Sequence, residues 1–411
     1  MDPIRNPYAP GAGQRPPELA GRDNELRSFD VVLERIARGR PERSLVLTGL
    51  RGVGKTVLLN SLRSSAVRAG WGTGKIEARP DTDLRRPLAA ALHLAIRELG
   101  LQDAEGRDQV LGTLKSFAQR SAPSNAKLRD RWQAGIDVPA VSGRADSGDI
   151  EIDLVELFSD IAGLAQDSGR GVALFIDEMQ DLRPEDVSAL CAACHELSQQ
   201  SLPLIVVGAG LPHLPAVLSA SKSYSERLFS YLKIDRLARD QADRALRTPA
   251  LEEEADFTAE ALEALYEATD GYPYFVQAYG KGAWDVAPQS PITAEDIEVA
   301  APVAQSELAV GFFGSRYERA TPAEREYMRA LAELEAQSAE PDCPESTPRP
   351  IEGDLVVTTA ALANHLGRKP QSLSPARDGL MKKGLVYSAE RGRIAFTVPH
   401  FGRYLRAHVD S

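Results

Sequence analysis

The sequence predicts an α/β fold: a parallel sheet with helices on both faces, then a wholly helical stretch, then a small C-terminal unit of two helices and a β-hairpin. Three observations carry this. Ser44-Leu45-Val46-Leu47-Thr48 and Gly171-Val172-Ala173-Leu174-Phe175-Ile176 are short apolar runs without polar interruption, the pattern of strands buried on both faces. Each is followed by leucines or alanines at helical spacing, as in Thr56-Val57-Leu58-Leu59-Asn60-Ser61-Leu62. Toward the end of the chain two short helical segments precede two alternating segments separated by Ala389-Glu390-Arg391-Gly392, a turn sequence.

A chain of 411 residues is too long for one ordinary core and suits two or three packed units. The first twenty residues are rich in Pro and Gly without an apolar secretory core, so they read as an extended arm (1–20). No apolar run approaches the length needed to cross a bilayer, which argues against a membrane protein. Three cysteines are too few for a disulfide framework and point to a reducing, cytoplasmic location. A formal charge of −11 excludes a protein that coats nucleic acid with its whole surface but allows a local basic patch.

The first strand leads into Gly49-Leu50-Arg51-Gly52-Val53-Gly54-Lys55-Thr56, which fits the P-loop pattern at each required position. Its glycines let the backbone curl so that successive N–H groups face a phosphate, and the helix that follows points its positive end at the same anion. Lys55 is expected to bind the β- and γ-phosphates of ATP, and Thr56 to offer its hydroxyl to Mg²⁺. The second apolar run ends in Asp177-Glu178, the arrangement of a central parallel strand with function at its carboxyl end. There Asp177 is expected to hold the Mg²⁺ shell and Glu178 to polarise the attacking water. Read alone, the same residues could be a core strand with a solvated acidic turn.

Together with the later Gly271-Tyr272-Pro273, these motifs resemble the AAA+/STAND-type ATPases, nearest to the prokaryotic "archaeal ATPase" family and the origin-recognition initiator ATPases. The resemblance covers roughly residues 18–300 and the C-terminal unit. It implies an ATPase core over 21–235, a helical lid over 236–308 and a winged-helix domain over 309–411. It also implies that Arg22, in the segment before the P-loop, flanks the adenine, and that Pro273 packs near it. On their own physics, Arg22 is equally a surface charge and Gly271 a helix C-cap closing the helix 259–269. Arg227 occupies the position of the family's arginine finger, acting in cis or from a neighbouring copy in an ATP-dependent homo-oligomer; its plainer reading is a surface ion pair. Two departures stand out. Leu204-Ile205-Val206-Val207 ends in Gly208, Ala209 and Gly210 where the family often carries a polar sensor, and the lid helix after Pro273 has no clear sensor arginine.

In the C-terminal unit a helix is expected from Thr321-Pro322-Ala323-Glu324, with a loop over 338–353. A short helix over 359–366, a second opening at Ser374-Pro375 and the hairpin complete a winged helix. From Val356 to Ser411 there are nine Lys or Arg against three Asp or Glu. Arg368, Lys369, Arg377, Lys382 and Lys383 by the second helix, with Arg391 and Arg393 at the wing, form a candidate patch for duplex DNA. The alternative is a winged helix that contacts a protein partner, as in a signalling switch. Cys191-Ala192-Ala193-Cys194-His195 matches a haem-attachment string but falls in a predicted helix over 184–200, so both cysteines read as packing residues. Residues 103–150 match no assignable pattern.

Overall fold

A computed structural model of the chain describes residues 1–11, 13–100, 103–119, 135–339, 356–390 and 392–408. Strands β1 (Ser44–Thr48), β2 (Gly72–Glu77), β3 (Val172–Asp177), β4 (Leu204–Gly210) and β5 (Phe229–Lys233) form one sheet in the order β2-β3-β4-β1-β5, with every neighbour parallel. Register sets Thr48 beside Gly210 and Ile176 beside Gly208. The loops leaving β1 and β3 therefore emerge at the same edge of the sheet, with β4 between them.

Helices α1 (Asp23–Ala37), α2 (Lys55–Arg68), α3 (Arg85–Glu98), α4 (Ala104–Gln119), α5 (Ile150–Asp167), α6 (Pro184–Gln200), α7 (Leu214–Ser221) and α8 (Ser225–Leu228) surround the sheet. Leu45, Leu47, Ala173, Phe175 and Val207 pack with Phe29 and Leu33 of α1 and Leu58 and Leu62 of α2. Val46, Leu174, Ile176 and Val206 point the other way, into α3, α5 and α6. Both faces are thus covered, which is why β1 and β3 read as unbroken apolar runs. Strand β2 was not anticipated, because Gly72 and Gly74 interrupt its pattern. Both glycines are needed there: a Cβ on Gly72 would lie 2.3 Å from the Ala95 carbonyl oxygen, and one on Gly74 2.8 Å from that of Ala91.

Residues 236–308 are helical as expected, forming α9 (Arg239–Glu252), α10 (Ala259–Thr269), α11 (Pro273–Val286) and α12 (Ala294–Leu308). Thr293 and Asp296 cap α12 reciprocally. The boundary expected at 308/309 is not marked by a loop. The chain runs on through a π-helical turn (Ala309–Gly314) into α13 (Ser315–Glu318), and helix gives way only before α14 (Pro322–Ala339). The rest of the expected loop beyond 339 lies largely outside the described residues.

The C-terminal unit adds β6 (Val357–Thr358), α15 (Thr359–His365), α16 (Pro370–Lys382), β7 (Val386–Glu390), β8 (Arg393–Phe396) and α17 (Phe401–His408), with antiparallel strand order β6-β8-β7. Helix α16 begins at Pro370, four residues before the expected Ser374-Pro375, and Pro375 lies inside it. Pro370 is preorganised for a first helical position, whereas Pro375 removes a single bond, to Gln371, near the helix start.

The first residues of the chain are strapped to helices α9 and α11. Tyr8 is buried and its hydroxyl donates to the Leu246 carbonyl at 2.6 Å, while the Trp284 indole N–H donates to the Asp2 carbonyl at 2.9 Å. Among the described residues no helix is long and apolar enough to cross a membrane.

The described part of 103–150 is held by a buried ion pair. Arg85 Nη2 lies 2.8 Å from Asp153 Oδ2, both side chains buried, with the guanidinium 4.8 Å from the Phe117 ring centre. Asp153 also accepts from the Ser147 backbone and hydroxyl. Burial pushes the Asp153 carboxyl up, but the bonds from Ser147 and Arg85 outweigh it and hold it below its ordinary value. Replacing Asp153 by Ala leaves Arg85 buried without its counter-charge and is expected to destabilise the chain by about 3–5 kcal/mol, read from urea unfolding. Because the folded carboxyl titrates low, wild-type stability from this group is complete above the ordinary carboxylate range and declines as pH falls through the depressed value. The Asp153→Ala variant should lack that decline.

Candidate active site

The P-loop is shaped by two close approaches. A Cβ on Gly49 would lie 2.2 Å from the carbonyl oxygen of Ile234, so only glycine lets the loop leave β1 beside the extension of β5. Gly54 has φ 90 and opens α2, a conformation that favours glycine. Arg51, Gly52, Val53, Gly54, Lys55 and Thr56 all line a cavity of about 390 Å³, a size suited to a small ligand. Gly49 and Leu50 stand behind it. Their carbonyls accept from the Lys55 ammonium at 2.8 and 2.7 Å. Burial lowers Lys55 to about 8, with Glu178 and Asp177 opposing the shift and Arg51 adding to it.

The acidic pair closes the same end. Asp177 is 5% exposed at the end of β3, and its carboxylate accepts from the Glu178 N–H at 3.0 Å. Glu178 adopts φ 52, a left-handed conformation that non-glycine residues reach only at some cost, and it lines the cavity. Its carboxylate is held twice, by Arg51 Nη1 at 3.2 Å and by the Gln180 amide at 2.6 Å. Burial, aided by the Glu178 carboxylate, pushes nearby Asp181 up to about 6.

Gln180, for which the sequence carried no signal, supplies a polar side chain beside the end of β4. Its side-chain oxygen accepts from the Leu211 N–H at 3.0 Å, so it links Glu178 to the end of β4. Gly208 and Gly210 are small because Met179 and Gln180 fill that space: a Cβ on Gly208 would lie 1.9 Å from Met179 Sδ, and one on Gly210 2.7 Å from Gln180 Oε1. The polar group absent from the strand end arrives from the turn after β3.

Of the residues placed by resemblance, Arg22 and Pro273 line the cavity. Arg22 is 7% exposed, not a surface charge, and donates to the carbonyls of Val53 and Asp235. Gly271, at φ 68, accepts from Leu237 N–H at 2.8 Å and so docks the turn carrying Pro273 against the core. Arg227 is not brought into the cavity. It is exposed on α8, just before β5, at the end of the sheet opposite the P-loop. Cys191 and Cys194 are buried free thiols, pushed up by burial to about 11 and about 12, in keeping with packing. Among the described residues no group of three or more His, Cys, Asp or Glu could hold a metal ion. Mg²⁺ needs fewer protein ligands than that when phosphates supply the rest; of the two expected ligands, Thr56 lines the cavity, whereas Asp177, buried at the end of β3, is not part of its wall.

One contact could not be read from the motifs. Arg51 N–H donates to the Thr397 carbonyl at 2.9 Å and Arg51 Nε to the Gly384 carbonyl at 3.2 Å, so the C-terminal unit rests directly on the P-loop. Of the expected basic patch, Arg368, Arg377 and Lys383 pair with Glu326, Asp378 and Glu324. Lys369 and Lys382 are exposed, and among the described residues neither has a carboxylate within 4 Å. Arg393 is exposed at the start of β8, and Arg391 lies outside the described residues.

Residues 18–207 match the family of the AAA ATPase domain, and residues 310–405 match a domain of unknown function (DUF8462). None of the curated proteins matches the chain. Similar solved structures include the Thermotoga maritima RuvB Holliday junction branch migration motor, at 17% identity over 93% of this chain and 96% of that one, with a TM-score of 0.45. The Aeropyrum pernix Orc1 protein in complex with DNA is similar at 14% identity, 96% and 94% coverage and a TM-score of 0.44. Cdc6p from Pyrobaculum aerophilum is similar at 14% identity, 99% and 96% coverage and a TM-score of 0.40.

Lys55 generates a pH dependence. A bound polyphosphate stabilises the protonated amine and raises its pKa above the value of about 8 seen here. Above that value the free protein has lost a proton that the complex keeps, so binding takes one up. Affinity for ATP is expected to fall as pH rises from 8 to 9.5, approaching tenfold per unit. Calorimetry in buffers of different ionisation enthalpy should report proton uptake at pH 9 and little at pH 7.

Proposed function

We propose that the chain, whose residues 18–207 match the AAA ATPase domain family, binds Mg-ATP, hydrolyses it slowly, and uses it as a switch that sets the position of its C-terminal unit. The observation that carries this reading is the convergence of Lys55, Glu178 and Arg51 at one cavity, with Arg51 also held by the C-terminal unit. On phosphate binding, Lys55 exchanges the Gly49 and Leu50 carbonyls for phosphate oxygens. Thr56 and Asp177 would hold Mg²⁺, which would supply positive charge to the phosphates. Glu178, oriented by Gln180, accepts a proton from water once Arg51 turns toward phosphate. Arg51 cannot serve phosphate fully while its backbone and side chain are spent on Thr397 and Gly384, so nucleotide and C-terminal docking compete. Arg227, far from its own cavity, acts on the site of a neighbouring copy in an ATP-dependent homo-oligomer. Buried free thiols accord with a cytoplasmic location.

The C-terminal unit is proposed to be a winged helix that binds duplex DNA through Lys369, Lys382, Arg393 and Arg391, with Arg368, Arg377 and Lys383 adding charge once released from their carboxylates. A second reading, a STAND-like switch in which this unit contacts a protein, is favoured by one observation. The unit is docked on the P-loop through backbone carbonyls, as an inhibitory cover would be.

Glu178→Gln keeps the shape of the site and removes the base. Phosphate release is expected to drop by about 10²–10⁴-fold with ATP affinity retained; equal rates would exclude Glu178 as the catalytic residue. Replacing Lys369 and Lys382 together by Ala should weaken duplex DNA binding and flatten its log–log salt dependence by about 2. An unchanged slope would favour the protein-partner reading.

A further inference from the structure

One cation at the cavity belongs to none of the motifs. Arg316 sits in α13, directly after the π-helical turn Ala309–Gly314, in the segment that leads from the lid into the C-terminal unit. It lines the same cavity as the P-loop, with Gly311 and Phe312. Isolated π-turns are uncommon and recur at functional sites. Here the turn presents Phe312 and Arg316 to the cavity together. The Arg316 guanidinium lies 4.1 Å from the Phe312 ring centre and donates to the Phe312 carbonyl. Tyr274, the residue after Pro273, stacks on Phe312 with ring centres 4.7 Å apart. The Tyr274 N–H in turn donates to the Gly52 carbonyl, at 3.4 Å, which sets this cluster against the middle of the P-loop.

The charge balance around Arg316 is incomplete. Among the described residues no carboxylate lies within 4 Å of it. Burial and the nearby Arg51 guanidinium both act to lower its pKa. Two guanidinium groups that repel each other across a cavity, one of them without a counter-ion, form a place for an anion with several oxygens. Guanidinium is also the side chain best matched to phosphate geometry.

We infer that Arg316 binds the terminal phosphate of a nucleoside triphosphate and thereby distinguishes ATP from ADP. This rests on the ATP-site reading above. It deepens that reading, because the residue that senses the γ-phosphate is carried on the segment leading to the C-terminal unit, not on the sheet or the lid helices. A γ-phosphate held by both Arg51 and Arg316 draws this segment toward the P-loop and takes Arg51 away from Glu178.

The test uses the full chain, with ADP and a slowly hydrolysed ATP analogue, each with Mg²⁺, titrated by calorimetry. Arg316→Gln is expected to weaken the triphosphate by about tenfold or more and the diphosphate by less than about twofold, as for loss of one charged hydrogen bond. Arg316→Lys, which keeps the charge but not the forked geometry, is expected to recover only part of the triphosphate affinity. Equal losses for both nucleotides, or none, would overturn the inference. In the wild type, the triphosphate should protect Arg316 from phenylglyoxal modification, mapped by mass spectrometry, more than ADP does. Equal protection would also overturn it, whatever the variants do. A wild-type chain with no affinity for either nucleotide would instead defeat the ATP-site reading itself.

Discussion

A buried ammonium group must find acceptors, and Lys55 finds them in the loop it belongs to. The carbonyls of Gly49 and Leu50 can reach Nζ only because the backbone curls back over it. That curl requires Gly49 to pass within contact of the Ile234 carbonyl and Gly54 to open α2 at positive φ. The site depends on this satisfied but weakly held cation, since neutral carbonyls compensate burial less well than an anion would. A triphosphate that displaces them gains a full counter-charge.

The same logic extends to the other charges at the cavity. Arg51 and Glu178 neutralise each other, and Arg51 also donates to two carbonyls of the C-terminal unit. Hydrogen bonds to charged groups are worth about 1.5–3 kcal/mol each. Of the two bonds that hold the C-terminal unit to Arg51, only that from Nε is of this kind; the one from the backbone N–H is neutral and worth about 0.5–1.5 kcal/mol.

Strand β4 illustrates how a departure from a family pattern can be compensated in three dimensions. Three small residues at its end look like the loss of a polar sensor. In the fold they make room for Met179 and Gln180, and Gln180 bonds both Glu178 and the backbone after β4. The polar side chain beside the end of β4 thus comes from a different element.

The sequence alone was sufficient for features whose signal is local. The P-loop, the buried strand ending in Asp177-Glu178, the helices 184–200 and 259–269 and the helix start at Thr321-Pro322 all follow from periodicity or from chemistry that neighbouring residues must share. It was insufficient wherever residues meet from distant parts of the chain. Strand β2 was hidden because its glycines answer to α3, and the start of α16 was misplaced by a proline the helix tolerates. Arg316, Gln180 and the seating of Thr397 and Gly384 on Arg51 carry no local signature, because their roles arise only once the sheet, the lid and the C-terminal unit are packed together. Local pattern records what a segment buries; which charges then face one another is decided by tertiary packing, over separations that no periodicity spans.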